Sequence, residues 1–336
     1  MRRHTVRSSR SSLVIGIDLG GTNMQIGVVD ARNRIIGRDR RKTQARDGCD
    51  RVIERIVEGI HAACGDAKTT IKQVAAIGIA APGAIDIPRG VVLEAPNLGW
   101  YDVPLRDLLR KYVRCPVVVD NDVNGAVWGE YKLGAGRAVA KTDRANDSRD
   151  VLGVWLGTGV GGGLVIDGKL FHGDFFTAGE VGQTVLFPHG EKRRRIVEDF
   201  CSRTGMSRTI RERLSKHRKS ILREWIDSPN AVIPSSQLAR AYRKKDSLAR
   251  EVVHESADLL GIAIANWVTV LSVDTVIIGG GVAEALGPAF LKRVRKSFRR
   301  DVFPKRCRAA KLIMTQLEDD AGLLGAALLA RETLQR

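Results

Sequence analysis

Short apolar runs, each closed by glycines or acids, alternate along the chain with longer stretches of helical spacing. Residues 13–18 form such a run and predict a buried strand, which ends in Asp18-Leu19-Gly20-Gly21-Thr22-Asn23. A second strand is predicted over 24–30. Val52, Ile53, Ile56, Val57 and Ile60 share one face of a helix predicted over 50–64. Residues 74–80 predict a strand running into Ala81-Pro82-Gly83, and Val91-Val92-Leu93 a shorter one before Pro96-Asn97-Leu98-Gly99-Trp100. The apolar, β-branched run from Val117 breaks at Asp120-Asn121-Asp122 and resumes with helical character from Val123. Beyond a polar loop at 141–150, residues 238–270 predict a largely helical stretch. Residues 275–278 then predict a strand leading into Gly279-Gly280-Gly281, and 321–329 a closing apolar helix of small residues.

The opening pattern occurs twice. Residues 151–167 repeat the plan of strand, Gly-rich turn and strand, with Gly153, Gly157 and Asp167 matching Gly16, Gly20 and Asp30. This predicts an α/β fold that is internally duplicated into two lobes. Two motifs fail in the second copy. Gly157, Gly159 and Gly162 fit GxGxxG, but the strand-like Leu164-Val165-Ile166 follows where a dinucleotide fingerprint needs a helix. No Lys-Ser or Lys-Thr closes either turn, so neither is a P-loop of the Walker type.

Composition narrows the class. At 336 residues the chain has room for two domains with real cores, and 43% hydrophobic with 28% charged residues suits a globular protein. No apolar run approaches the roughly 18 residues of a membrane span. The basic residues 1–12 predict a disordered tail and not a signal peptide. Five scattered cysteines without metal or redox spacing predict free thiols in a reducing, cytoplasmic setting. The formal charge of +17 (55 Lys+Arg against 38 Asp+Glu) would attract polyanions. Aromatic residues are only 5%, which argues against a base-stacking platform and a specific nucleic-acid partner.

The chemistry gathers at residues 117–130. A strand that ends in two carboxylates flanking an amide, then enters a helix, presents them at the carboxyl end of the strand, where open α/β sheets bind ligands. A helix cap would account for one acid only. Asp18 suits a hydrated Mg²⁺, Thr22 can offer a hydroxyl to a phosphate, and Asn97 beside Trp100 fits either a turn or a sugar pocket.

With these residues assembled, the chain resembles the sugar kinases of the ROK family (repressor, open reading frame, kinase), within the actin-like ATPase superfamily. The resemblance runs over DLGGTN at 18–23, APG at 81–83, DND at 120–122, LGTGVGGG at 156–163, AGEVG at 178–182, IIGGG at 277–281 and DDAGLLGAA at 319–327. It implies a duplicated actin-like (ribonuclease H-like) two-lobe fold with the active site in the interlobe cleft. The lobes would be 13–119, completed by a helix at about 319–336, and 120–318. It further implies ATP-dependent phosphorylation of a hexose, D-glucose foremost, by a homodimer. Asp122 would be the general base, with Gly83, Asn97, Asn121, Glu180, Gln183 and Glu198 around the sugar. Asp18, Gly20, Gly21, Thr22, Asn23, Thr158 and Gly159 would surround phosphates and Mg²⁺, and Gly280 and Gly281 the nucleotide. Zinc-containing members carry a histidine where this chain has Gln183, followed by a Cys-rich loop; only His189 and Cys201 remain here, so no structural zinc is expected. Polyphosphate as donor, another hexose as acceptor, and a non-catalytic sugar-sensing role are the alternatives the resemblance leaves.

Overall fold

A computed structural model describes residues 13–139, 150–188, 195–217, 219–228 and 230–335. The tail expected at 1–12 and the candidate ligand His189 lie outside them. Contacts divide the chain into two compact units. One runs to Lys132 and adds 173–177 and the segment from Asp319; the other comprises Leu133–His172 and Ala178–Glu318.

In the first unit, β1 (Leu13–Leu19), β2 (Asn23–Val29) and β3 (Ile35–Lys42) form an antiparallel meander, with Asp18 opposite Gln25 across its first turn. Helix α1 (Cys49–Asp66) follows, burying Val52, Ile53, Ile56 and Ile60 on one face. It leads to β4 (Val74–Ala81), parallel to β1. A small antiparallel sheet of β5 (Ala84–Asp86), β6 (Val91–Ala95) and β7 (Trp100–Val103) comes next. After α2 (Leu105–Arg110), strand β8 (Val117–Asn121) joins β4 in parallel and passes directly into α3 (Asp122–Leu133). The main sheet has the order β3-β2-β1-β4-β8.

The second unit repeats that order. After α4 (Ala135–Val139), strands β9 (Val151–Leu156), β10 (Val160–Ile166) and β11 (Lys169–Phe171) make the second meander. Helices α5 (Val197–Cys201), α6 (Arg203–Arg213), α7 (Ser235–Arg243) and α8 (Ser247–Leu271) precede β12 (Thr275–Gly279). Then α9 (Gly281–Asp301) leads to β13 (Lys311–Met314), giving the sheet order β11-β10-β9-β12-β13. The single helical stretch expected over 238–270 is two helices. Lys245 takes a positive φ of 60° between them, and the Asp246 side chain caps α8 by accepting from the Ala249 N–H at 3.0 Å.

The last helix, α10 (Ala321–Thr333), returns to the first unit and packs on β1 and β4. This contact is backbone against backbone. A methyl group on Gly78 would sit 1.9 Å from the Ala326 carbonyl oxygen, and one on Gly16 only 2.0 Å from that of Leu323. The glycine-containing, small-residue character of both partners is what admits the helix so closely. The first compact unit runs on to Lys132, because α3 is capped by the end of β8 and packs with α10 through Gly125, Gly129 and Gly325. Among the described residues no helix is long and apolar enough to cross a membrane, and all five cysteines are free.

The close approach of α10 sets a test. Gly78→Ala should cost about 1–3 kcal/mol, the usual range for overpacking, seen as a lower urea midpoint. Gly65→Ala in α1, where nothing lies within 4 Å of an added methyl, should leave the midpoint unchanged or raise it. Equal behaviour of the two variants would rule out the packing account.

Candidate active site

The DND segment divides its labour. Asp120 is buried, and its carboxylate accepts from the Asn121 N–H at 2.7 Å and from Asn124 Nδ2 at 2.9 Å, so it is a structural acid. The cap of α3 comes from the amide between the acids. Asn121 Oδ1 accepts from the N–H groups of Val123 at 2.8 Å and Asn124 at 3.1 Å. On its other side Asn121 Nδ2 donates to the Gly83 carbonyl at 3.0 Å, which uses one of its two N–H donors. Gly83 itself has φ 92°, and an added methyl would meet the Glu94 carbonyl oxygen at 2.0 Å, so only glycine fits there. Asp122, half-buried at the first position of α3, accepts from the Val123 N–H at 2.9 Å.

Asp18 stands at the penultimate position of β1. Its carboxyl is raised from 3.8 to about 7, by burial first and then by the charges of Asp122 and Asp319. Asp319 is a participant that sequence reasoning missed as a site residue; its only signal was membership of the 319–327 motif. The Gly20–Thr22 turn beside Asp18 is closed by the Gly20 N–H donating to the Asn23 carbonyl at 3.0 Å. Thr43, wholly buried, pins it twice: its hydroxyl donates to the Gly20 carbonyl at 2.6 Å and its N–H to that of Thr22 at 2.9 Å. Nothing local in the sequence marks Thr43 for that task. Thr22 and Asn23 are exposed, and Asn97 lies against Gly21, where an added methyl would approach its Cβ to 3.0 Å.

The Asp18 carboxylate, with Asp122 and Asp319 near enough to act on it by charge, is chemically suited to Mg²⁺, which takes oxygen ligands and keeps several waters beside one or two carboxylates. Among the described residues no group of three or more His, Cys, Asp or Glu side chains is placed to hold a metal by itself. The residues therefore fit a hydrated cation shared with ligand oxygens, and not an all-protein cage.

In the second unit the three-residue turn Gly157-Thr158-Gly159 is closed by the Gly157 N–H donating to the Gly159 carbonyl at 2.9 Å. Glu198, expected around the sugar, has one carboxylate oxygen committed here: Oε2 accepts from the Val160 N–H at 2.8 Å. The same oxygen lies 2.3 Å from where a Gly159 methyl would be. Glu180 is flanked by glycines that press on β10, a Gly182 methyl falling 2.0 Å from the Val160 carbonyl oxygen. Its carboxyl is pushed upward by desolvation and then by Glu198. The exposed Gln183 donates its N–H to the Glu180 carbonyl at 3.2 Å. Gly280, φ 87°, packs on the Leu156 backbone and donates its N–H to Glu284 Oε1 at 3.1 Å; Gly281 opens α9 with nothing within 4 Å of an added methyl. Cys201 ends α5. It is buried, its thiol donates to the Ser256 carbonyl at 3.5 Å, and burial pushes its pKa up to about 12.

Within the first unit, then, the fold brings together Asp18 with Asp122, Asn121 with Gly83, and Gly21 with Asn97. Within the second it brings Glu198 to Gly159 and Glu180 to Glu198. Two sheets of one order, each opening on a Gly-rich hairpin, and acids at strand ends define a protein of the actin-like two-lobe ATPase fold. The model of the ROK family matches residues 14–333, and the chain belongs to that family. It is 31% identical to a glucokinase of Halalkalibacterium halodurans over 323 residues, 95% of this chain and 94% of the relative. It is similar to the crystal structure of a ROK family glucokinase from Streptomyces griseus in complex with glucose and AMPPNP. That match has 33% identity and a TM-score of 0.79, covering 95% of this chain and 99% of that one. A xylose repressor of Caldicellulosiruptor bescii is 28% identical, over 93% of this chain and 76% of the repressor.

The raised Asp18 carboxyl has a thermodynamic signature. The native state keeps this proton up to about pH 7 and the unfolded chain only to 3.8. Between those values the native state binds more protons, so ligand-free stability falls as pH rises and levels off above 7. Asp18→Asn should remove that decline, giving a higher Tm than the parent above pH 7 and a smaller difference below 3.8. Parallel Tm-against-pH curves for the two proteins would refute the assignment.

Proposed function

We propose that this chain transfers the γ-phosphoryl group of ATP to a hexose, D-glucose foremost, yielding glucose 6-phosphate and ADP in the cytoplasm. The observation that carries the reading is Asp122, set at the start of α3 by the Asn121 cap and within charge reach of Asp18. The glucokinase relatives support it.

In this reading Asp122 accepts the proton of the attacking sugar hydroxyl as the bond to phosphorus forms. The free N–H of Asn121, the carboxylates of Glu180 and Glu198, the amides of Asn97 and Gln183 and the Gly83 backbone orient the other hydroxyls. Backbone donors of Gly21 and Gly159, with the side chains of Thr22, Asn23 and Thr158, hold the phosphates, and Gly20 shapes the turn that presents them. Gly280 and Gly281 lie against the nucleotide. Asp18 holds Mg²⁺ through water, and the ion supplies charge neutralisation to the phosphates when bound. Occupancy by sugar hydroxyls keeps bulk water from the γ-phosphoryl group, which would otherwise be hydrolysed.

A second donor is favoured by one feature. The chain's formal charge of +17 would attract a polyanion such as inorganic polyphosphate.

A coupled assay of ADP release across a panel of hexoses, repeated with polyphosphate as donor, tests the whole reading. Asp122→Asn should lower kcat by about 10²–10⁴-fold, the usual contribution of general-base assistance, with sugar affinity largely retained. Near-normal kcat in that variant would remove Asp122 from the reaction.

A further inference from the structure

The start of α6 is fastened to the Gly157–Gly159 turn. Ser202 Oγ caps the helix by accepting from the Gly205 N–H at 2.9 Å. The Arg203 N–H donates to the Gly157 carbonyl at 2.9 Å, and the Thr204 hydroxyl and N–H donate to that of Thr158 at 2.9 and 3.4 Å. The leading backbone donors of the helix are thereby spent on the cap and the turn. What they leave is the guanidinium of Arg203.

That group is only partly used. Its Nη2 donates to Thr158 Oγ1 at 2.6 Å. Its Nε–H is buried and, among the described residues, has no hydrogen-bond partner. Arg208 and Arg213 on the same helix are paired with carboxylates, Asp199 in one case and Glu251 and Glu255 in the other. Among the described residues Arg203 has no such pair. A guanidinium without a counter-ion, fixed on a glycine turn, is arranged to meet an oxyanion, for which its planar fork of donors is matched. The Thr158 hydroxyl, having accepted from Arg203, keeps its own proton to donate to the same ligand.

We propose that Arg203 binds the phosphate chain of the donor nucleotide, with Thr158 as its companion donor. The inference rests on the phosphoryl-transfer reading above and adds to it a cation that no motif of the sequence contained. The competing account is mechanical: Arg203 staples α6 to the turn through Thr158 and meets no ligand.

The two accounts part on which ligand loses affinity. Calorimetric titrations of the full chain with ADP, with adenosine and with glucose would be run on the parent, Arg203→Met and Arg203→Lys. Arg203→Met should weaken ADP roughly tenfold to hundredfold, the scale of a lost charge-assisted hydrogen bond, and leave adenosine and glucose unchanged. KM for ATP should rise by a similar factor. Arg203→Lys should recover part of the loss, since it restores the charge without the fork. Retained ADP affinity in Arg203→Met would overturn the proposal. So would parallel loss of all three ligands with a lowered Tm, which marks a staple. A parent protein that binds ADP yet phosphorylates no sugar would sink the kinase reading alone, and the contrast between ADP and adenosine would still decide the role of Arg203.

Discussion

The side-chain amide of Asn121 is committed in two directions, its oxygen to the first N–H groups of α3 and its nitrogen to the carbonyl of Gly83. These bonds tie together the end of β8, the start of α3 and the turn after β4. They fix the residue at which strand becomes helix, and Asp122 is that residue. A helix that began one position later would turn Asp122 by about 100°, since an α-helix has 3.6 residues per turn. The buried Asp120 reinforces the same junction from beneath by holding the Asn121 N–H and the Asn124 amide. The candidate site of the first unit is thus as well defined as this one cap.

Duplication supplies the frame, and divergence within it supplies the chemistry. Asp18 and Trp155 occupy the same penultimate place in β1 and β9, opposite Ala80 and Gly279 of the neighbouring parallel strands. In the first copy that place holds a crowded carboxyl. In the second it holds an indole packed on Gly279, where an added methyl would approach the ring to 2.7 Å. The same backbone geometry therefore presents a titratable carboxyl in one sheet and an apolar surface in the other.

How far the sequence could be read depended on the range of each signal. The Gly-rich turns, the strand ending at Asn121 and the helix over α1 were legible because period and turn chemistry are local. The duplication of the fold followed from matching two such local patterns, and the order of the strands did not. Thr43, Asp319 and Arg203 were not legible as site residues, because each acts on a turn or carboxylate distant in sequence. The boundary between the two compact units was hidden for a related reason. A change from strand to helix at Asp122 looks like a seam, yet the cap and the glycine contacts with α10 bind α3 to what precedes it. Asn121 was expected as a ligand contact, and its role as cap emerged only from the positions of the N–H groups it serves.

The return of α10 to the first unit carries a consequence for synthesis. Strands β1 and β4 leave the ribosome before the second unit, but the helix that covers them is encoded after it. Residues 133–318 hold the whole second unit, so that unit can close while the first still waits for its cover. Until then the groove at Gly16 and Gly78 is open, and apolar surface next to it is available to other chains. The second unit, last to be started, is the first that can be finished.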